Sequence, residues 1–241
     1  FLRSISLNRT RIDSFEAFPF SVPAVRELQS LELHPQVTFF IGENGTGKTT
    51  LLEGIALVEG FNYEGGTRNF TVERHDERYR LAQALGVARG VRRARHDSFY
   101  LRAESFYNIA TEIDRLGLIR AGGVYGDKSL HAQSHGEAFL TIFLQRMGGN
   151  GLYLLDEPES ALSPQRQLAF LAALHSHVQN GSQFIIATHS PIIMAYPHAT
   201  IYQFHENGIT PVEYTDTEHY KVTNAFLNRR EKMLDDLLND D

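Results

Sequence analysis

Residues 42–49 have the types and the spacing of a phosphate-binding loop. They fit the pattern G-x-x-x-x-G-K-[ST] without a mismatch. The backbone N–H groups of such a loop form an anion nest, and the helix that follows adds the positive end of its dipole. We expect Lys48 to reach the β- and γ-phosphates of ATP and the Thr49 hydroxyl to ligate Mg²⁺. The alternative is a glycine-rich connection without a ligand. The expected nucleotide contacts are Gly42, Glu43, Asn44, Gly45, Thr46, Gly47, Lys48, Thr49 and Thr50.

Two acidic residues, Asp156 and Glu157, directly follow the apolar run at 152–155. Ligands of open α/β sheets bind outside the carboxyl ends of the strands, so these side chains are expected to face the same ligand. A Mg²⁺ ion that bridges two phosphates needs support from its far side, and we assign this support to Asp156, through water. Glu157 is expected to orient or deprotonate the attacking water as a general base. The alternative is a pair of acids that only marks the loop after a strand.

The elements that must position these residues alternate between strand and helix. Residues 37–41, 152–155 and 184–187 are continuous apolar runs, which are typical of strands buried on both faces. Helical spacing follows at 49–58 and 164–178. This alternation predicts an α/β fold with a central, mostly parallel sheet. Strand-like patterns near the N-terminus add an antiparallel β portion, and Asn207-Gly208 predicts a hairpin late in the chain.

Residues 60–128 differ in composition from the rest, being rich in glycine, asparagine and arginine. A strand pattern at 98–101 and a helical pattern at 107–116 lie within them. We interpret 1–241 as a single domain and 60–128 as a smaller, mainly helical lobe inserted into it. The basic residues of this lobe could contact a DNA backbone, or they could form an ordinary solvated face beside neighbouring acids. The candidates are Arg89, Arg92, Arg93 and Arg95.

Composition narrows the classes of function. The chain has 23 Lys and Arg against 29 Asp and Glu, which argues against a protein whose whole surface binds nucleic acid, although a local basic patch is compatible with this balance. The absence of cysteine excludes disulfides, thiolate metal sites and cysteine nucleophiles, and it is compatible with a cytoplasmic address. No apolar run is long enough to cross a bilayer, and no signal peptide is expected.

A further motif connects these features to a known family. The segment before the Asp156-Glu157 strand is Gln133-Ser134-His135-Gly136-Glu137. It resembles the signature motif of ABC-type ATPase heads. These heads are P-loop NTPases, a group that includes proteins described as AAA family ATPases. His135 stands where that family usually has glycine and Glu137 where it has glutamine, a variant that is more similar to the soluble SMC and RecF-related heads. The alternative is a plain helix N-cap with a capping box.

The resemblance implies roles for further residues. Ser134, Gly136 and Glu137 would contact the nucleotide bound by a second subunit, and residues 158–163 resemble the loop between subunits, with Ser163 in place of aspartate. His189 matches the switch histidine that senses the γ-phosphate, although a histidine after a strand is often structural. The glutamine expected near 99–105 is missing. Glu104 is the candidate metal or water ligand in its place, and Arg102 could instead contact phosphate.

The function implied is that of a soluble ATPase that uses ATP and Mg²⁺, with Lys48, Glu157 and His189 in catalysis. Only 86 positions separate Lys48 from Ser134, too few for the long coiled coil of an SMC protein. We expect a stand-alone head that forms a head-to-tail homodimer on ATP and acts on a partner protein or DNA, in a repair or defence-like role. A membrane-transporter subunit and an ATP-dependent switch with little turnover are the alternatives.

Overall fold

The computed structural model describes residues 1–62, 65–66, 77–91, 98–119, 123 and 129–239. The strands are β1 Leu2–Leu7, β2 Ser30–Glu32, β3 Val37–Gly42, β4 Leu85–Arg89, β5 Phe99–Arg102, β6 Leu152–Asp156, β7 Gln183–Ala187, β8 Thr200–His205 and β9 Gly208–Pro211. The α-helices are α1 Pro23–Arg26, α2 Lys48–Val58, α3 Arg78–Ala84, α4 Phe106–Arg115, α5 His135–Thr141, α6 Pro164–Gln179, α7 Glu218–Asn228 and α8 Arg230–Leu238. A π-helical segment, Ile142–Arg146, continues α5.

The predicted α/β fold is confirmed. Among the described residues, six strands form the central sheet in the order β5-β6-β7-β3-β8-β9; their pairings are parallel except for the antiparallel β8–β9 pair. The predicted hairpin joins β8 to β9, and Gly208 follows its turn with a φ of 121°, which glycine tolerates without strain. The strand register places Arg102, Asp156 and Ala187 side by side on β5, β6 and β7. The carboxyl ends of these strands therefore meet at one edge of the sheet.

The second sheet is small and antiparallel, with the order β2-β1-β4. It contains the N-terminal β portion that the sequence predicts. Its third strand, β4, comes from residues 60–128 and pairs with β1 in a register that places Leu85 beside Leu7 and Val87 beside Ile5. Periodicity within the segment did not indicate this strand, because its partner lies far away in the sequence.

Residues 60–128 contribute strands to both sheets. Their described part contains α3 and α4, but it also supplies β4 to the small sheet and β5 to the edge of the central sheet. The boundaries of a separate inserted lobe stay a prediction, since much of 60–128 lies outside the described residues.

The central sheet is covered on both faces, because neighbouring residues of each strand point to opposite sides. Phe39 and Tyr153 pack against the face covered by α4, α5 and α6. Phe40 and Leu154 pack against the other face, with α2, α3 and the small sheet. Burial on both faces keeps the strands rigid, so their carboxyl ends form a fixed platform for polar side chains.

The last two helices, α7 and α8, lie at the surface and have no buried residue. The two helices are separated at Arg229. Among the described residues, no helix has both the length and the apolar character that a membrane span requires.

Candidate nucleotide site

The glycine loop runs from the end of β3 to the start of α2 and needs glycine at two crowded positions. Gly42 has a φ of 136°, and a Cβ there would collide with the carbonyl oxygen of Phe204. Gly47 has a φ of 104°, and a Cβ there would lie 2.5 Å from Cγ1 of Val22. Both positions require positive φ and close approach at once, which only glycine permits. The loop backbone is therefore shaped by its neighbours on β8 and beside α1.

Lys48 lies over this loop. Its Nζ donates to the carbonyl oxygens of Gly42 at 2.8 Å and Glu43 at 2.9 Å, and the residue is only 4% exposed. Burial lowers the pKa of Lys48, while the nearby carboxylates of Glu157 and Asp156 oppose that shift. A cavity of about 260 Å³ lies beside it. Its lining residues are Asn44, Gly45, Gly47, Lys48, Thr49, Thr50 and Glu157.

Thr49 and Asp156 meet at the end of β6. The Thr49 hydroxyl donates to Oδ1 of Asp156 at 3.1 Å, although the two residues are 107 positions apart. Asp156 is 6% exposed, and burial raises its pKa to about 7, against the opposing influence of Arg102 and of the Thr49 hydrogen bond. A hydroxyl and a carboxylate side by side are oxygen ligands of the kind that Mg²⁺ takes. The predicted metal pair is thus brought together.

Arg102, at the end of β5, lies among three acids. Its guanidinium donates at 2.8 Å to Glu53 of α2 and at 2.8 Å to Glu104, and its Nε lies 3.5 Å from Oδ2 of Asp156. The N–H groups of Arg102 therefore face carboxylates, whereas the sequence analysis considered a contact between Arg102 and phosphate. The Glu104 side chain is 83% exposed and pairs with Arg102. The role of Glu104 as a metal ligand stays a prediction.

Glu157 turns the chain sharply after β6. It has a φ of 50° and a ψ of 52°, the left-handed region that non-glycine residues seldom adopt. Its N–H donates to the carbonyl oxygen of Ala187 at 2.9 Å, which extends the β6–β7 pairing by one residue. The carboxylate faces the cavity beside Lys48. Such strain is common where a side chain must be aimed at a reacting group.

His189 follows β7 and approaches Glu157. Its Nε2 lies 3.6 Å from Oε1 of Glu157, just beyond hydrogen-bond reach, and this buried nitrogen makes no hydrogen bond among the described residues. Its Nδ1 lies 3.2 Å from Nε2 of His219 on α7. Burial, helped by Lys48, lowers the pKa of His189, so the ring is neutral at physiological pH. The unpartnered nitrogen would suit an acceptor such as a phosphate oxygen.

Glu159 is a residue of this site that the sequence analysis missed. It accepts the N–H of His189 at 2.6 Å and the hydroxyl of Thr188 at 2.8 Å. Burial raises its pKa, while these hydrogen bonds oppose the shift. Its carboxylate therefore fixes the backbone on which His189 stands. The signal was its place directly after Asp156-Glu157-Pro158, but nothing in the spacing indicated its partners.

The signature-like segment forms the N-terminus of α5. Ser134 is the N-cap and makes a capping box with Glu137, whose carboxylate accepts the Ser134 hydroxyl at 2.8 Å. Arg166 of α6 donates to both residues at 3.2 Å. The packing at Gly136 is close, since a Cβ there would lie 2.7 Å from the carbonyl oxygen of Ala161. The capping box is present, and the nucleotide contacts of this segment stay a prediction.

The arginine cluster is described only in part. Arg89 lies on β4 and forms an ion pair with Glu59 at 2.7 Å. Arg92, Arg93 and Arg95 lie outside the described residues. The DNA contact predicted for this cluster stays a prediction.

The residues around the loop fit a magnesium nucleotide. The glycine nest and Lys48 suit phosphate oxygens, Thr49 and Asp156 supply oxygen ligands, and the unpaired Nε2 of His189 is available to a phosphate oxygen. When bound, Mg²⁺ would neutralise charge that develops on the phosphates. Within the described residues no group of three or more His, Cys, Asp or Glu is placed to hold a metal ion, so a magnesium ion here would depend on Thr49, Asp156 and the phosphates together.

Comparison with known proteins agrees with this arrangement. A family model described as "AAA domain, putative AbiEii toxin, Type IV TA system" matches residues 138–195, and one described as "AAA domain" matches residues 11–97. The first region contains Asp156, Glu157 and His189, and the second contains the glycine loop.

Curated relatives match parts of the chain. The ABC transporter G family member STR2 of Medicago truncatula is 28% identical over 173 residues, 64% of this chain and 24% of STR2. The DNA replication and repair protein RecF of Heliobacterium modesticaldum is 38% identical over 60 residues, 25% of this chain and 16% of RecF. The cytochrome c biogenesis ATP-binding export protein CcmA of Rhodopseudomonas palustris is 28% identical over 164 residues, 64% of this chain and 78% of CcmA.

Solved structures share the fold. The SMC head domain from Thermotoga maritima aligns with a TM-score of 0.50 and 16% identity, covering 88% of this chain and 99% of the head. The inward-facing conformation of a "putative metal-chelate type ABC transporter" aligns with a TM-score of 0.52 and 16% identity, covering 92% of this chain and 88% of that one. These matches show that the chain has the fold of ABC and SMC ATPase heads, and its glycine loop and strand order resemble those of P-loop ATPases of that type.

Proposed function

We propose that this protein hydrolyses ATP with Mg²⁺ and forms a head-to-tail homodimer when ATP is bound. The observation that carries the proposal is that five side chains from three places in the chain, the start of α2, the end of β6 and the segment after β7, come together beside the glycine loop. They are Lys48, Thr49, Asp156, Glu157 and His189. Lys48, Thr49 and Glu157 line the cavity, while Asp156 reaches it through Thr49 and His189 lies behind Glu157.

Each side chain has a role that its surroundings support. Lys48 exchanges its two carbonyl acceptors for phosphate oxygens, because an ammonium group held this deeply gains most from a charged partner. Thr49 and Asp156 hold the metal. Glu157 is 41% exposed at its side chain, and it accepts the proton of the attacking water. His189 donates from Nε2 to a γ-phosphate oxygen and so distinguishes ATP from ADP.

The proposed dimer follows from the place of Ser134. Its hydrogen bonds run to Glu137 and Arg166, and within the described part of the chain none of them reaches the glycine loop. A second copy facing the loop head to tail would bring Ser134 and Gly136 to the nucleotide. Each nucleotide would then be enclosed by both chains, and hydrolysis at Glu157 would remove the contact that joins them.

The test is the Glu157→Gln variant. Amide for carboxylate keeps the size of the side chain but removes the general base, so phosphate release should fall at least about 100-fold. ATP should still bind, and the variant should accumulate as a dimer that light scattering detects. The exposed Glu231 of α8 provides a matched control, since Glu231→Gln should behave like the wild type.

Lys48→Ala supplies the opposite control, because loss of the phosphate-binding cation should abolish both ATP binding and ATP-dependent dimerisation. A Glu157→Gln variant that binds ATP yet stays monomeric at high concentration contradicts the dimer. Turnover that is independent of Glu157 contradicts the assigned base and favours the ATP-dependent switch.

The proposed role is coupling of hydrolysis to DNA or to a partner protein in repair or defence, in a cytoplasmic setting. The match to a DNA replication and repair protein supports the DNA arm, and phosphate release with and without duplex DNA tests it. The matches to an ABC transporter and to an export protein favour a second candidate, the nucleotide-binding subunit of a transporter. Stable co-purification with a membrane protein from the native cell would favour this second role.

A further inference from the structure

The first turn of α7 places a second histidine behind His189. Nε2 of His219 lies 3.2 Å from Nδ1 of His189, and the ring centroids are 5.3 Å apart. Burial lowers the pKa of both rings, so both are neutral at pH 8. Nothing in the spacing of the sequence connects these two histidines, which are 30 positions apart.

The start of α7 is tied to the segment that carries His189. Tyr214 donates its hydroxyl to the carbonyl oxygen of Pro191 at 3.0 Å, and its own carbonyl accepts the hydroxyl of Thr217 at 2.8 Å. Thr217 is fully buried and caps α7 by accepting the N–H of Tyr220. Tyr214 and Tyr220 are also in ring contact, with centroids 4.9 Å apart. These contacts fix the start of α7 against the segment after β7, and so they hold His219 beside His189.

The hydrogen bond between two neutral rings allows two proton arrangements. If His189 donated from Nδ1, its Nε2 would carry a lone pair directed at the Glu157 carboxylate 3.6 Å away, and it could not donate to phosphate. If His219 donates from Nε2, Nδ1 of His189 accepts and Nε2 of His189 carries the proton. Only the second arrangement places an N–H toward Glu157 and the cavity beside Lys48, where anionic acceptors lie.

We infer that His219 is a positioning residue that donates from Nε2 to Nδ1 of His189 and so holds His189 as the Nε2–H tautomer. This inference rests on the proposed function in one respect, the use of that N–H by the γ-phosphate. The geometry also makes α7 the element through which a change at the C-terminal helices reaches the phosphate sensor. A partner that displaced α7 would remove the hydrogen bond from His219, so that His189 could adopt either tautomer, without contacting the nucleotide.

The direct test is ¹⁵N NMR of the imidazole nitrogens in the nucleotide-free full chain at pH 8. The His189 signals are assigned from the peaks that His189→Asn removes. We expect Nε2 of His189 to be protonated in the wild type and His219→Leu to give a mixture of both tautomers. His219→Gln should retain the wild-type state, because the amide nitrogen of glutamine can replace the N–H donor. His131→Leu, at an exposed histidine, should change neither tautomer.

Kinetics provides the second readout. His219→Leu should lower kcat about 10-fold, the smallest effect typical of removing a partner that orients a functional histidine. The affinity for ADP should be unchanged, because ADP lacks the γ-phosphate, and His219→Gln should recover most of the lost kcat. Circular dichroism of each variant establishes that the fold is intact.

Three results would overturn the inference: a wild-type His189 protonated on Nδ1, a tautomer unaffected by His219→Leu, or equal kcat losses in the Gln and Leu variants. The failure of the proposed function looks different. A wild type that hydrolyses no ATP refutes the ATPase, while the NMR experiment still decides the tautomer.

Discussion

The buried carboxyl of Asp156 should make the metal-free protein less stable at alkaline pH, and Asp156→Asn should remove this weakness. Burial raises the pKa of Asp156 from its ordinary value of 3.8 to about 7. Between these values the folded chain holds a proton that the unfolded chain has released. The free energy of unfolding therefore falls as pH rises, by about 1.4 kcal/mol for each pH unit, and stays low above the folded pKa.

The magnitude follows from the size of the shift. A rise of about 3 pH units corresponds to roughly 4 kcal/mol at 1.36 kcal/mol per unit. Asparagine keeps the shape of the side chain and an oxygen that accepts the Thr49 hydroxyl, but it carries no charge. At pH 8 the variant should be up to about 4 kcal/mol more stable than the wild type, and near pH 4 the two should converge.

Urea unfolding in EDTA at several pH values between 4 and 8 measures this difference directly. Asp236→Asn on α8 is the matched control, since its side chain is exposed and the substitution should change stability little at any pH. Addition of Mg²⁺ and ATP should reverse the order, because the metal stabilises only the charged carboxylate.

The outcome that refutes the reasoning is a variant no more stable than the wild type at pH 8, or a gap that does not change with pH. Either result would mean that Arg102, with its Nε 3.5 Å from Oδ2, outweighs the burial of the charge. The Asp156 carboxyl would then be a stabilising partner of Arg102 rather than a destabilising buried charge.

Two further substitutions test the packing around the site. Gly136→Ala would place a Cβ 2.7 Å from the backbone oxygen of Ala161, so it should lower ATP-dependent dimerisation in light scattering while ATP affinity is retained; an unchanged dimer would argue against this helix as the contact. Phe143→Ala should lower the free energy of unfolding in urea by about 3–5 kcal/mol, because the Phe143 ring is buried with its centroid 4.3 Å from that of Phe170. The neighbouring Leu144 is 56% exposed, so Leu144→Ala should lower it by less than about 0.5 kcal/mol.

The glycine loop and the two acids after β6 were predictable because their chemistry is local. The residues of each motif are consecutive in the sequence, and the apolar run before each motif predicts a buried strand. Parallel strands in one sheet bring their carboxyl ends to one edge, so Lys48, Asp156 and His189, which all follow such strands, were expected at the same edge. The six-stranded sheet confirms this reasoning.

Other features depend on partners far away in the sequence and could not be predicted from it. The strand β4 exists because it pairs with β1, and Arg102 is held by Glu53 of α2, 49 positions earlier. Periodicity reports which residues are apolar, but it carries no information on which distant polar group will neutralise a buried charge. These pairings were set by the packing of the elements against one another.

By itself, the sequence of this protein predicted a glycine loop of the phosphate-binding type, an acid expected to support a metal ion and a histidine after the next strand. The tertiary structure decided how that histidine is oriented, through Glu159 on one side and His219 on the other. The physical reason is the distance along the chain over which each signal acts. Loop and strand signals arise among neighbouring residues, whereas the direction of a hydrogen bond depends on the few ångströms between elements that only the folded chain brings together.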